Sequence, residues 1–167
     1  MAPMKSMGAI TAFFSVMMLT GTVGPTFGIS TADFNNVVNF SVTLDDLSRM
    51  ANEGSATLPM NRLVILTGDV ESIDVLDPAR GGFRAEVNLV NGVWHSVDAI
   101  SLYRCIVTLT GPEFAAQIPS QSGASSSAAT IQPNHQILVV ASITGVRAAP
   151  DGAKIPVVRA LFVRPLS

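Results

Sequence analysis

Apolar residues recur at three- and four-residue steps over one stretch of the chain and at two-residue steps over most of the rest. Leu44, Leu47 and Met50 or Ala51 form one stripe of a helix. Thr43 precedes it as an N-cap, Asp46 stands at the capping-box position, and Gly54 closes it. From Arg62 the period becomes that of a strand. Val64, Leu66, Gly68 and Val70 fall on one face, and Thr67, Asp69 and Glu71 on the other. Gly68 in mid-strand predicts a bulge or a tight coil. Asp77-Pro78 and Gly81-Gly82 mark a hairpin loop. Phe83, Ala85, Val87 and Leu89 then alternate with Arg84, Glu86 and Asn88, and Asn91-Gly92 predicts a two-residue turn.

The next stretch, residues 93–109, reads as two strand pieces broken around Asp98, the better formed being 102–109. Gly111-Pro112 opens a short helix over 113–118, with proline where its missing N–H is harmless. Residues 121–130 are rich in Ser and Ala without a period, which predicts an exposed loop. Residues 136–144 form a fourth strand, Pro150-Asp151-Gly152 a turn, and 155–164 a fifth strand whose dense apolar residues leave its faces unassigned. Residues 33–40 show no period and read as a lead-in. Five strands with a helix between the third and fourth is the order of the OB-fold. The expectation is therefore an all-β protein with small helices, a five-stranded Greek-key barrel preceded by a helix.

The first thirty residues differ from the rest. Lys5, an apolar run from Met7 to Leu19 and an exit through Gly21, Gly24 and Pro25 form a signal-peptide pattern, with Gly28 and Ser30 as the small residues before a cut at Thr31. The competing reading is an uncleaved anchor, since no charge lies between Lys5 and Asp33. The apolar run falls short of the roughly 20 residues that span a bilayer, which favours cleavage. The expected organisation is a leader or anchor over 1–30, a lead-in over 31–42 and an OB-fold domain over 43–167, exported to a periplasmic or extracellular location.

Ala51-Asn52-Glu53-Gly54-Ser55-Ala56, the strand containing Thr67-Gly68-Asp69-Val70, and Tyr103-Arg104-Cys105-Ile106-Val107 together resemble the small bacterial OB-fold proteins grouped as the tRNA-anticodon-like family. The resemblance spans about 43–165. It implies OB architecture, and despite the family's name it does not imply tRNA binding. The basic residues usual before the first strand are thinned here to Arg62, and the Ser-rich loop is longer.

Composition narrows the chemistry. Charged residues make up 13% of the chain and the net charge is −2, so a basic track for phosphates is not evident. The single cysteine, Cys105, excludes an intrachain disulfide and sits in an apolar strand as a small core residue. His95 and His135 have no ligand-type neighbours at metal spacing, and no metal or cofactor is expected. No nucleophile elbow, phosphate loop or dinucleotide fingerprint occurs, and no enzyme is expected. On an OB-fold the binding surface is the outer face of the second and third strands with two flanking loops. That places Arg80, Arg84, Glu86, Asn88, Arg104 and Lys154 as candidate ligand-binding residues. Trp94 and Tyr103 are the only Trp and Tyr, and Tyr103 shares the phase of Cys105, which points it at the core. The leading expectation is a non-catalytic exported module for a protein, peptide or small ligand, with nucleic acid not the expected partner. The alternatives are a membrane-anchored subunit of an envelope assembly, retaining residues 7–27, and a weak single-stranded nucleic-acid binder.

Overall fold

The capping box forms as its residues demand. In the computed structural model, which describes residues 37–60, 62–79, 81–118 and 130–166, helix α1 spans Leu44–Glu53. The Asp46 N–H donates to Thr43 Oγ1 at 3.3 Å, and the Thr43 N–H donates to Asp46 Oδ2 at 3.2 Å. Leu44, Leu47 and Ala51 are buried, and Gly54 ends the helix at φ +148, where a side chain would be strained. Hydrogen bonds from Thr43, reinforced by Arg49, hold the Asp46 carboxyl below its ordinary range. A carboxyl whose folded pKa is depressed adds stability above its unfolded pKa, and that stability is lost as pH falls through the folded value. Thr43→Ala should therefore lower stability by about 1 kcal/mol at neutral pH. In denaturant titrations repeated at falling pH, the gap to wild type should narrow below the carboxylate range.

Among the described residues, six strands follow or flank this helix: β1 (Val38–Asn39), β2 (Leu63–Asp77), β3 (Arg84–Ser96), β4 (Ala99–Thr110), β5 (Gln136–Ala148) and β6 (Lys154–Leu166). They run in the order β1-β2-β3-β4-β6-β5, and a β2–β5 pairing closes the barrel. The β4–β6 ladder is parallel and short, from Ile106↔Val157 to Thr108↔Arg159, and the other barrel ladders are antiparallel. This is the OB-fold expected from the strand order. The lead-in is partly ordered, because Val38 and Asn39 pair in parallel with Leu63 and Val64, and Val38 and Val42 are buried. Helix α1 packs mainly on β4 and β6, where those two strands part. Helix α2 (Pro112–Ala115) is shorter than the six residues expected, and buries Phe114.

The interior is the set of inward positions given by the two-residue period, with one change of phase in β6, where an extra residue lies between Ala160 and Phe162. Val64, Leu66 and Val70 of β2 face Ala85, Val87 and Leu89 of β3, Cys105, Val107 and Leu109 of β4, Ile137, Val139 and Ala141 of β5, and Val158 and Val163 of β6. Strand β2 serves two neighbours. Residues 63–69 pair with β5 and residues 69–77 with β3, so the ladder changes hands at Asp69. Gly68 stands at that crossing. The bulge expected there lies instead three residues on, between Val70 and Ser72, and what Gly68 provides is close approach to β3.

The turn expected at Asn91-Gly92 is not formed. Strand β3 runs through both residues, with Asn91↔Tyr103 and Gly92↔Leu102 in register, and the chain reverses at Val97-Asp98. The break around Asp98 is as expected, but residues 93–96 belong to β3 rather than β4. Five further cross-strand pairs beyond Val90↔Arg104 outweigh the local turn preference of one dipeptide. Neither Val97 nor Asp98 has a positive φ. Among the described residues no helix is long and apolar enough to cross a membrane. The leader or anchor over 1–30, the first half of the lead-in, and the Ser-rich loop save Thr130 lie outside the described residues.

Candidate functional site

Because β3 continues to Ser96, its outward row is longer than the turn at Asn91-Gly92 would allow. The outward pairs on β3 and β4 are Arg84↔Thr110, Glu86↔Thr108, Asn88↔Ile106, Val90↔Arg104, Gly92↔Leu102 and Trp94↔Ile100. Trp94 is 68% exposed, and Ile100 and Leu102 beside it are exposed as well. Gly92 makes room for this apolar tip, since a Cβ there would lie 3.0 Å from Ile100 Cδ1 and 3.5 Å from Leu102 Cδ2. The hairpin therefore presents one indole on a bed of aliphatic side chains, at the end of a row that carries arginine at its middle and its far end. An exposed aromatic on a rigid strand pair is a platform for stacking a planar ring.

The cations near this face are mostly engaged. Arg104 donates twice to Glu71 of β2, at 3.2 and 3.3 Å, with both side chains 45% exposed. Arg147, near the end of β5, donates through both terminal nitrogens to Glu86 of β3 at 2.7 Å. Strand β4 lies between β3 and β6 in the sheet, so that bond carries the β5–β6 arm over the outer face of β4. Ile106, outward by register, is accordingly only 4% exposed. The hydrogen bonds from Arg147 hold the Glu86 carboxyl below its ordinary range, and Glu71 raises the Arg104 guanidinium above its own.

Four of the six candidate residues thus share one surface: Arg84, Glu86, Asn88 and Arg104. Asn88 is committed to Ser72 Oγ at 2.8 Å and to Asp74 at 3.4 Å, so it is structural as well as outward. Arg84 is exposed and makes none of the three ion pairs found among the described residues. Lys154 stands apart on the start of β6, where its N–H donates to Asn52 Oδ1 at 3.0 Å. Arg104 and Lys154 both line a cleft of about 340 Å³ between β4, the turn before β6, and Ser48 and Asn52 of α1. Arg80 lies outside the described residues. Sequence reading missed Trp94, Ile100, Leu102, Glu71 and Arg147 as members of this surface. Trp94 was legible by phase: it has the parity of Arg84, Glu86 and Asn88 once the strand is not ended at Asn91.

Elsewhere the reactive side chains are quiet. Cys105 is buried in the barrel and its thiol is pushed up to about 12 by burial, far from the range of a reactive thiolate. His95 Nε2 lies 2.9 Å from Ser101 Oγ, and His135 contributes its carbonyl to the Val70 N–H.

No family model and no curated protein matches the chain. Solved structures do. A single-stranded DNA binding protein from Thermus aquaticus is 16% identical with a TM-score of 0.40, over 63% of this chain and 50% of that one. An SSB from Plasmodium falciparum, in complex with single-stranded DNA, is 9% identical with a TM-score of 0.41, over 63% and 94%. The N-terminal domain of a PriB protein from Thermoanaerobacter tencongensis is 11% identical with a TM-score of 0.37, over 63% and 96%. The chain spans about half the length of the Thermus aquaticus protein. The expectation of a protein-, peptide- or small-ligand module, with nucleic acid not the expected partner, is corrected on the face itself. Its premise, that the face lacks a stacking aromatic, fails on the exposed Trp94.

Proposed function

We propose that this protein binds single-stranded nucleic acid on the outer face of β3 and β4, without catalysis. The observation that carries the reading is Trp94, largely exposed on the outward row of β3, directly across from Ile100 and one row from Leu102. A base has a π-face whatever its identity, so one indole on an aliphatic bed takes any base. Arg84 on the same row, and Arg104 and Lys154 around the adjoining cleft, supply cations for the phosphates between bases. A neutral sugar chain, the other ligand class that OB-folds take on this face, would stack on Trp94 but give Arg84 on the same row no charged partner.

The site is short of unpaired positive charge, so the affinity is modest and the preference for sequence weak. The test is fluorescence anisotropy of a labelled single-stranded oligonucleotide longer than the roughly 4–16 nucleotides one OB-fold covers. The full chain is titrated in at low ionic strength. A saturable rise that duplex DNA of the same sequence does not reproduce supports the reading. No rise at low salt, or displacement by a neutral oligosaccharide, would overturn it.

Export is proposed on the pattern of residues 1–30 alone, and the tRNA-anticodon-like resemblance on its quoted motifs alone. Mass spectrometry of the native protein should find a start near Thr31. A start at Met1 in the purified native protein would remove the cleaved leader.

A further inference from the structure

We propose that Glu71 and Glu86 are built-in competitors of the ligand, each occupying an arginine that a phosphate must take over. The inference rests on the nucleic-acid reading of the β3–β4 face. Among the described residues, Arg104 and Arg147 are the two arginines held against that face by ion pairs, and in both pairs the guanidinium meets the carboxylate through two nitrogens. This fork-on-carboxylate geometry is the one a phosphate oxygen pair would use in its place. Both arginine side chains are about half exposed, so a phosphate can reach them without unfolding anything.

The Arg147–Glu86 pair has a second consequence. It ties the β5–β6 arm across the outer face of β4, between Arg84 and Arg104 on the track. A ligand lying along the full row from Trp94 to Arg84 has to draw Arg147 away from Glu86 or pass over the bond. In either case a carboxylate is left beside the backbone of the bound strand. Glu71 flanks the same row from β2, one residue from Ser72, which pairs with Asn88.

The salt dependence follows from ion counting. A phosphate neutralised by a previously unpaired cation releases about 0.7 of a counterion on single strands. Where the arginine comes from a carboxylate, the freed Glu71 or Glu86 recruits a cation in turn and cancels most of that release. The wild-type protein should show a shallow slope, set mainly by Arg84 and Lys154. Removing the two negative charges should leave the arginines available at once.

The experiment is a salt titration of oligonucleotide binding by the full chain and by E71Q/E86Q. Glutamine keeps the side-chain shape, and the denaturation midpoint checks that the barrel is intact. The double variant should bind about tenfold tighter at low ionic strength, and its log–log slope should steepen by about 1.4, two phosphates at about 0.7 each. Arg104→Gln should weaken binding in both backgrounds, leaving Glu71 unanswered in wild type, but should flatten the slope by about 0.7 only in the E71Q background, a coupling a purely structural ion pair would not produce. If wild type binds and E71Q/E86Q matches it in affinity and slope, the competitor role is wrong while the binding reading stands. If neither protein binds any single strand, both fall together.

Discussion

Replacing Trp94 by alanine is expected to weaken single-stranded DNA binding by between about fivefold and a hundredfold while leaving the barrel as stable as before. The magnitude is that of one lost base–aromatic stack, about 1–3 kcal/mol, and every 1.4 kcal/mol is about tenfold in affinity. Stability should hold because the indole is 68% exposed and lies on the outward row, so its removal opens no cavity. Surface changes of this kind alter stability by about 0.5 kcal/mol or less. Trp94→Phe keeps a ring and should recover most of the affinity. Tyr103→Phe separates the two aromatics, because Tyr103 packs against the core and the change keeps its ring, so the loss seen for Trp94→Ala should not appear. Anisotropy with the same labelled strand reads all three variants. An unchanged dissociation constant for Trp94→Ala would remove the stacking platform from the site.

The second large effect is on the fold. Gly68→Ala is expected to destabilise the barrel by about 1–3 kcal/mol, the range for inserting volume into a packed interior. A Cβ on Gly68 would stand 2.8 Å from the Val90 carbonyl oxygen and 2.9 Å from Leu89 Cγ. The first of these is backbone and cannot rotate aside. Gly68 is also where β2 leaves β5 for β3, so relief of the clash has to come from prying β3 off β2 at the root of the binding face. Gly145→Ala is the matched control in β5, with nothing within 4 Å of its Cβ position. Urea denaturation should show a lower midpoint for Gly68→Ala and a midpoint near wild type for Gly145→Ala. Equal midpoints would mean that the approach of β3 to Gly68 is looser than described.

Much of this barrel is legible from one sequence because its core obeys a period of two. Val64, Leu66 and Val70, and then Ala85, Val87 and Leu89, are buried as their alternation requires, and the Thr43 cap and Gly54 stop bound the helix as their chemistry requires. Local chemistry misleads where long-range pairing overrides it. Asn91-Gly92 is the best turn dipeptide in the chain, yet it lies in the middle of a strand because β4 offers partners all the way to Ala99. That one displacement hid the site. Ending β3 at Asn91 takes Trp94 out of phase with Arg84, Glu86 and Asn88, and an exposed stacking residue then reads as part of a broken segment. Other parts of the face have no local signature at all. Arg147 meets Glu86 across sixty-one residues and Arg104 meets Glu71 across thirty-three, and only closure of the barrel brings either pair together. A count of basic residues sees the arginines and misses that their charges are already answered.

The same distinction bears on the proposed ligand. A net charge of −2 argues against a protein that holds nucleic acid by charge. It does not bear on one that holds a strand chiefly by stacking, with a few cations to set its course. The paired arginines make the face look neutral in the free protein, and the ligand is what changes their partners.

Trp94 is the only tryptophan in the chain, so its own emission reports on the site without a label. Titrating the full-length protein at low ionic strength with an unlabelled single-stranded oligonucleotide should quench that emission in a saturable way. Added salt should partly reverse the quench, and the duplex of the same sequence should not produce it. Emission that stays constant through the titration, in a protein whose barrel is intact, would contradict binding at the β3–β4 face.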